Sequence, residues 1–275
     1  MISKEFRTLL RTEVTRSISN RWLIVYALMY AALGLSLSYY GMLGLGYLGL
    51  RGFGRVSASL INLTLYLVPL ISMSLSGLAV VSEREGKTLE RLLSQPVSKT
   101  EILIAKYIGI TISIGTATVL GYGLASWYML FVLGPGDIGI FLSILFASIL
   151  LTVALSAFGL AISTVSGSKF GALGAILMGW FVLVAVFDVL VMGATLVADL
   201  KWIDLIPILM INPVEAARIL MIYSLDPTLI FLGPTGVYVA RAFGLYIPII
   251  FAGSLVLWTA GSMGLALVKF RNQDL

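Results

Sequence analysis

The chain has 275 residues, of which 59% are hydrophobic and only 11% are charged, and its formal net charge is +5. A soluble domain of this size carries roughly 25% charged residues, so the composition excludes an ordinary water-soluble fold and indicates that the bilayer is the solvent. The chain contains neither cysteine nor histidine, which excludes disulfides and thiolate metal sites and removes the commonest general base. The basic residues lie at the ends of apolar runs, so the positive charge does not indicate nucleic-acid binding.

Six apolar runs are long enough to cross the bilayer, which needs roughly 20 helical residues for about 30 Å of hydrocarbon. The sequence predicts spans at about 22–41, 57–81, 102–133, 138–165, 170–191 and 245–268. Within these limits only Lys106 and Asp188 carry charge. No cleavable signal peptide is predicted, because about twenty polar residues precede a first run too long for one. We therefore expect one all-α transmembrane domain over residues 1–275.

Lysine and arginine predict the orientation, since cytoplasmic loops carry an excess of both. With the N-terminus inside, 13 of the 18 basic residues fall on the cytoplasmic side. Five fall outside, namely Arg51, Arg55, Lys201, Arg218 and Arg241. The bias favours a cytoplasmic N-terminus, and six spans then return the C-terminus to the cytoplasm.

Residues 1–20 have the pattern of an amphipathic helix that lies on the membrane. One face is apolar and consists of Ile2, Phe6, Leu9, Leu10, Val14 and Ile18. The opposite face is polar and consists of Lys4, Thr8, Arg11 and Thr15. A basic amphipathic helix beside a span is typical of an anchor on an anionic inner leaflet. The alternative is a positively charged flank that only fixes the topology.

The segment 82–101, SEREGKTLERLLSQPVSKTE, concentrates charge on the cytoplasmic side between the second and third spans. Residues 88–94 predict about two helical turns, which Pro96 ends. Ser98 and Glu101 form a capping box that starts the third span. Three leucines are expected to pack, namely Leu89, Leu92 and Leu93. Six charged residues are expected to be exposed, namely Glu83, Arg84, Glu85, Lys87, Glu90 and Arg91.

The tripeptide Gly86-Lys87-Thr88 looks like the end of a nucleotide-binding P-loop. That motif needs a glycine five residues before Gly86, and Val81 stands there. A membrane span rather than a strand precedes it. We therefore predict no nucleotide site in this chain.

The same segment resembles the permeases of ABC-2 type transporters. The resemblance is carried by Glu83, Glu85, Thr88, Leu89, Glu90, Leu92, Leu93, Ser94, Pro96, Val97, Ser98, Glu101, Ile102, Leu103 and Lys106. Lys99 replaces the usual arginine, and Lys87 stands where the family often has glycine. The six-span layout extends the resemblance over nearly the whole chain.

In such permeases this segment is the coupling helix that docks on a cytoplasmic ABC ATPase. The resemblance thus implies a coupling site of Glu83, Glu85, Thr88, Leu89, Glu90, Arg91, Leu92, Leu93 and Pro96. It also implies that ATP and Mg²⁺ bind to the ATPase, with no cofactor in this chain. Six spans enclose little alone, so we expect two copies around a two-fold axis. The alternative is a solvated loop whose charges only obey topology.

Residues 192–244 lie outside and are too apolar for a free loop. Asn212 as N-cap, Pro213 at the first position and Glu215 at the third predict a helix start. The helix should run to about Tyr223, which is too short to span. We expect it to dip into the outer leaflet or to cap the bundle.

A narrower resemblance, to NosY-type permeases of nitrous oxide reductase maturation, rests on Trp180–Leu183, Val186–Asp188 and Leu209–Pro213. It implies a permease dimer, an ATPase dimer inside and an extracytoplasmic partner protein. Five methionines near the outer side offer soft copper ligands, namely Met42, Met129, Met192, Met210 and Met221. Packing at helix ends explains them better, and we predict no metal site.

Single residues inside the spans have two interpretations. An acid within a span is usually functional, but Asp188 lies near the outer surface, where a hydrogen bond to a neighbouring helix is the favoured interpretation. Pro69 and Pro248 should kink or end their helices. Such kinks serve as hinges in some proteins and only as packing features in others.

Three classes of function make different demands on the sequence of a membrane protein. An ABC-2 permease explains the coupling segment, the interfacial helix and the absence of catalytic groups. It leaves open export of a lipid, drug or peptide and pure force transmission to an outer partner. A secondary transporter would show repeats and ionisable coupling residues, and an intramembrane metalloprotease or lipid transferase would show metal ligands or clustered acids. The sequence shows none of these constellations, so we predict a non-catalytic permease.

Overall fold

The structure is a computed structural model that describes residues 4–43, 52–94, 96–133, 138–197 and 202–273. In this part of the chain every regular element is helical. The first helices are α1 (Lys4–Ile18), α2 (Arg21–Leu43), α3 (Gly52–Gly77), α4 (Ala79–Glu85), α5 (Thr88–Leu93), α6 (Lys99–Leu133) and α7 (Ile138–Val165). They are followed by α8 (Lys169–Phe181), a π-helix (Val182–Val186), α9 (Phe187–Val197), α10 (Trp202–Ile211), α11 (Pro213–Leu225), α12 (Gly233–Phe243) and α13 (Ile247–Arg271).

Six stretches of helix in the described residues are long and apolar enough to cross a membrane. They are Arg21–Tyr40, Val56–Glu85, Lys99–Tyr128, Ile138–Val165, Lys169–Gly193 and Gly236–Arg271. The predicted all-α fold with six spans is therefore confirmed. The bundle has two ends, which we call the inner end, where α1 and α5 lie, and the outer end, where α10 and α12 lie. By the predicted orientation the inner end is cytoplasmic.

The sixth span begins earlier than predicted, because α12 runs into α13 through a short 3₁₀ turn, Gly244–Tyr246. Gly244 has a positive φ of 45°, which glycine adopts without a steric penalty. Pro248 lies in the first turn of α13, where its missing N–H is not needed. It therefore starts a helix, whereas Pro69 lies inside α3.

The core of the bundle is built around α7, which packs against α3, α13 and α11. Most side chains on α7 that are buried are small, including Ala147, Ser148, Ala154, Ser156 and Ala157. Small residues let helix backbones approach closely, which is the main source of helix association where lipid surrounds the bundle.

The N-terminal helix α1 packs with one face against the start of α6, and its other face is exposed. Leu9 is buried with Ile102 and Ala105, and Phe6 and Leu10 pack beside them. A Cβ added at Gly109 would lie 3.0 Å from the backbone carbon of Glu13, so the close approach of the two helices depends on glycine there. The predicted helix is confirmed, but part of its apolar face is covered by protein rather than left for lipid, and Ile18 is exposed.

The outer segment forms the short helix that the sequence predicts. Asn212 caps α11, since its side-chain oxygen accepts a hydrogen bond from the Val214 N–H at 2.9 Å. Pro213 takes the first helical position. Most of α11 is buried against α7, α13 and α3. The helix therefore closes the bundle at the outer end instead of lying as a free loop.

Candidate coupling site at the inner end

The predicted coupling segment is a separate short helix, α5, with a sharp turn before it. Lys87 precedes α5 with a φ of 53°, a left-handed conformation that disfavours residues with a Cβ. The Thr88 hydroxyl donates to the Glu83 carbonyl oxygen at 3.2 Å. These features turn the chain between the end of the second span and α5.

The capping box that starts the third span is also present. The Ser98 N–H donates to Glu101 Oε2 at 2.8 Å, and the Glu101 N–H donates to Ser98 Oγ at 3.2 Å. The helix that follows, α6, begins at Lys99. The reciprocal pair satisfies two of the backbone donors that a helix start leaves free.

Leu89 anchors α5 to four other helices. Its side chain is 2% exposed and packs in a cluster at the inner end. The other buried members are Val80 of α4, Leu103 of α6, Leu160 and Ala161 of α7, and Ala266 and Phe270 of α13. Because close-packed side chains transmit displacement instead of absorbing it, movement of α5 would reach the inner ends of the second, third, fourth and sixth spans.

A groove of about 490 Å³ separates α5 from α1, and we call it the α1–α5 groove. It is lined by Glu5, Thr8, Leu9, Thr12, Leu92, Pro96 and Val97. Its floor is apolar, because Leu92 and Val97 pack against Leu9. Pro96 and Glu5 at its rim are exposed. The groove thus lies between the N-terminal helix and the predicted coupling segment.

Three buried charged side chains and the partly exposed Arg16 form a cluster, the inner ion cluster, that joins α1, α4 and α6. Lys106 Nζ lies 2.7 Å from Glu83 Oε1 and 3.0 Å from Glu13 Oε1. Arg16 Nη1 lies 2.6 Å from the same Glu83 oxygen. Glu13, Glu83 and Lys106 are only 6%, 7% and 2% exposed. The ion pairs therefore cross-link the interfacial helix to the ends of two spans in a low-dielectric site.

The prediction that Glu83 is exposed is wrong. Residues 79–85 continue the second span as α4, whose buried face includes Val80, Val81 and Glu83. The side chain is buried because Lys106 and Arg16 compensate its charge. Lys106 is the signal that pointed to such a partner, since a lone cation inside a span needs a counter-charge. Glu13 carries a second signal, an acid that follows Phe6 and Leu9 at helical spacing.

Arg84 is also less exposed than predicted, because it holds the C-terminal tail. Its guanidinium donates to Gln273 Oε1 at 3.2 Å and to the Ser166 carbonyl oxygen. Lys99 Nζ donates to the Gln273 carbonyl oxygen at 2.6 Å. The tail thereby ties the sixth span to the coupling segment and to the turn before α8.

The remaining predicted coupling residues divide by their surroundings. Glu85 is exposed, and its Oε1 accepts from the Lys169 N–H at 2.7 Å, so it supports the start of α8. Thr88, Glu90 and Pro96 are exposed at the inner end. Arg91 and Leu93 belong to α5, but their side chains lie outside the described residues. Glu90 is therefore an exposed acidic side chain of α5.

The outer end has its own charged junction between α9 and α11. Arg218 Nη1 and Nη2 donate to the two carboxylate oxygens of Asp188 at 3.1 and 3.0 Å. Arg218 Nη1 also lies 2.8 Å from Glu215 Oε1, although without hydrogen-bond geometry. Burial raises the pKa of Glu215 to about 8, against the attraction of Arg218. Asp188 thus joins the spanning helix to the outer helix, as the favoured interpretation of its sequence position expected.

The stretches that carry the narrower resemblance meet at this junction. The π-helix at 182–186 changes the backbone hydrogen-bond pattern of the fifth span. Asn212 Nδ2 donates to the Leu183 carbonyl oxygen at 2.7 Å while its Oδ1 caps α11. Trp180 Nε1 donates to the Tyr66 carbonyl oxygen at 3.2 Å. These bonds fix α11 to the fifth span and the fifth span to the second.

Among the described residues, no three Asp or Glu side chains lie close enough together to hold a metal ion. The methionines of the copper alternative do not converge either. Met192 and Met210 line different cavities, and Met221 is fully buried. The side chains of Met42 and Met129 lie outside the described part of the chain.

The known proteins that this chain resembles are also transporter proteins. The family model described as ABC-2 family transporter protein matches residues 7–275. The chain is 30% identical over 216 residues to the probable ABC transporter permease protein NosY of Stutzerimonas stutzeri, which covers 76% of this chain and 78% of that protein. It is 29% identical over 230 residues to the protein of the same name from Pseudomonas aeruginosa, covering 80% and 82%.

Proposed function

The chain belongs to the ABC-2 family of transporter proteins and is a multi-pass protein of the inner membrane, and from that premise we propose that two copies of it form a membrane unit driven by a separate cytoplasmic ATPase. The permease subunits of ABC transporters are generally non-catalytic. In this proposal ATP and Mg²⁺ bind to the ATPase, and the chain supplies neither a catalytic residue nor a cofactor.

The observation that carries the proposal is the position of α5. Glu90 and Pro96 are exposed at the inner end, while Leu89 on the same helix is buried against α4, α6, α7 and α13. An ATPase that contacts the exposed side would push on the buried side. Because the cluster is close-packed, the push would tilt several spans together.

The inner ion cluster extends this movement to α1. Lys106 holds Glu13 of α1 and Glu83 of α4 at the same time. Separating any of these helices would expose a buried charge without its partner, which costs several kcal/mol. In the proposal α1, α4 and α6 therefore move as one unit when α5 is displaced.

The bonds at the outer end support a more specific proposal. Arg218 and Asn212 fix α11 to the fifth span, so a tilt of that span would move the outer surface of the bundle. We assign the chain a NosY-like role, in which this movement acts on an extracytoplasmic partner during nitrous oxide reductase maturation. The identity to two NosY permeases over about 80% of the chain supports this assignment.

The test is co-expression with candidate ABC ATPases from the same organism, followed by purification in nanodiscs. We expect a complex of two permease and two ATPase subunits that hydrolyses ATP. Glu90→Lys should abolish the complex, because it reverses the charge at the exposed face of α5. Arg241→Glu, an exposed charge reversal at the outer end, is the control and should leave the complex intact. An ATPase that co-purifies equally with both variants would refute docking at α5.

A further inference from the structure

A second cavity at the inner end, which we call the inner cavity, is lined by all four side chains of the inner ion cluster. Its volume is about 320 Å³, and it is bounded by the junction of α1 and α2, by α3 and α4, and by the starts of α6 and α8. Its lining contains charged and uncharged polar side chains. The uncharged polar residues that line it are Ser17, Asn20, Ser74, Ser82 and Ser113.

Glu83, one of the side chains that line the inner cavity, has a buried carboxylate oxygen without a donor. Glu83 Oε1 takes the hydrogen bonds of both Lys106 and Arg16. Glu83 Oε2 is buried and accepts no hydrogen bond from any described residue. A buried carboxylate oxygen in this state is costly. The site therefore suits a ligand that brings a cationic N–H donor.

The rim of the inner cavity carries cationic side chains, which suit an anionic group on the same ligand. Arg16 keeps 60% of its side chain exposed while it bonds Glu83. Lys169 is exposed at the start of α8, and its ammonium has no partner among the described residues. Three cationic and two anionic side chains line the cavity in total. One positive charge remains in excess, which suits a phosphate.

The level of the inner cavity relative to the membrane indicates where the ligand comes from. Arg21 and Lys169 begin two of the spans, so the cavity lies where the spans enter the bilayer. Trp22 lines the cavity and is 71% exposed, as expected for an aromatic side chain at the level of lipid headgroups. A lipid of the inner leaflet reaches this level without leaving the membrane.

From these observations we propose that the inner cavity binds the headgroup of an ethanolamine phospholipid of the inner leaflet. The lipid phosphate lies against Arg16 and Lys169, and the ammonium donates to Glu83 Oε2. A choline headgroup has no N–H to donate, and a glycerol headgroup has no positive charge. The site therefore prefers ethanolamine lipids to both. The proposal does not depend on an ATPase, so it is tested on the purified permease alone.

The experiment is native mass spectrometry of the delipidated protein with three lipids of equal acyl chains. Phosphatidylethanolamine should bind about tenfold more tightly than phosphatidylcholine or phosphatidylglycerol, the factor that one charge-assisted hydrogen bond supplies. Stepwise N-methylation of the ethanolamine should weaken binding at each step. This series changes only the ligand, so it tests the site without any effect on folding. Equal binding of all three lipids would overturn the proposal.

Two variants and a control locate the site. Glu83→Gln keeps the size of the side chain but replaces one acceptor by a donor, so the preference for ethanolamine over choline should disappear. Lys169→Gln should weaken all three lipids, because they share the phosphate. Lys269→Gln, an exposed cation on α13, should change nothing. Undiminished preference in Glu83→Gln, or equally tight binding of soluble glycerophosphoethanolamine, would contradict a bilayer lipid in this cavity.

Discussion

Replacing Lys106 by methionine should destabilise the protein strongly, although methionine fits a buried site better than lysine does in isolation. In the wild type Lys106 is 2% exposed and compensates Glu13 and Glu83. The substitution leaves Glu13 without this counter-charge and leaves Glu83 with Arg16 alone. Breaking a buried ion pair from one side costs about 3–5 kcal/mol. We therefore expect the melting temperature to fall by roughly 10 °C, at a few degrees per kcal/mol.

A loss of stability caused by uncompensated charge can be distinguished from a packing defect by restoring neutrality in the cluster. In the triple variant Lys106→Met, Glu13→Gln, Glu83→Gln no charge is left uncompensated in the cluster except that of the exposed Arg16. Replacing all members of a buried ion cluster is often neutral, so most of the lost stability should return. Non-additivity of this kind is the signature of direct coupling between the side chains.

The assay is thermal unfolding in detergent micelles, followed by circular dichroism, with Lys269→Met as the control. Lys269 is an exposed cation of α13, so its substitution should shift the melting temperature by no more than about 1–2 °C. A Lys106→Met variant that melts with the wild type, or a triple variant no more stable than the single one, would refute the compensated ion cluster.

Three further predictions test other parts of the structure. Lys87→Gly should raise stability by about 1 kcal/mol in chemical unfolding, because φ is 53° there, whereas Lys87→Ala should give no gain. Asn212→Leu should cost about 2–3 kcal/mol by removing both the cap on Val214 and the bond to Leu183, and Asn212→Asp, which keeps the cap, should cost less. The pKa of Glu215 is raised from 4.5 to about 8, so the folded state keeps a proton that the unfolded state releases, and the melting temperature should fall as pH rises from about 4.5 to about 8. Glu215→Gln should flatten that pH dependence, and an unchanged slope would contradict the burial of this carboxyl group.

Those features that the sequence predicted correctly depend on local signals. The six spans follow from uninterrupted apolar length, which needs no knowledge of partners. The starts of α6 and α11 follow from Ser98, Glu101 and Asn212, whose hydrogen bonds reach only two or three residues along the chain. Local patterns also placed α1 and α5, since amphipathic spacing and Pro96 are visible without the fold.

The features that the sequence missed depend on contacts between distant residues. Glu83 lies in a stretch rich in charge, and its partners Arg16 and Lys106 are 67 and 23 residues away. Gln273 belongs to no recognisable local pattern, yet its Oε1 accepts a hydrogen bond from Arg84, which lies 189 residues earlier in the chain. The sequence shows the charge of such side chains but not which helices the fold brings together. The prediction of exposure is therefore wrong for Glu83, which is buried, and too high for Arg84, which is partly buried.

The most direct test of coupling through α5 uses the absence of cysteine from the chain. A single Glu90→Cys variant can carry a photo-activated cross-linker without background labelling, and Arg241→Cys places the same reagent at the outer end. With the partner ATPase co-expressed, the account predicts a cross-link to the ATPase from position 90 and none from position 241. Failure to cross-link from position 90 in a complex that nevertheless hydrolyses ATP would contradict α5 as the site where the ATPase acts on this permease.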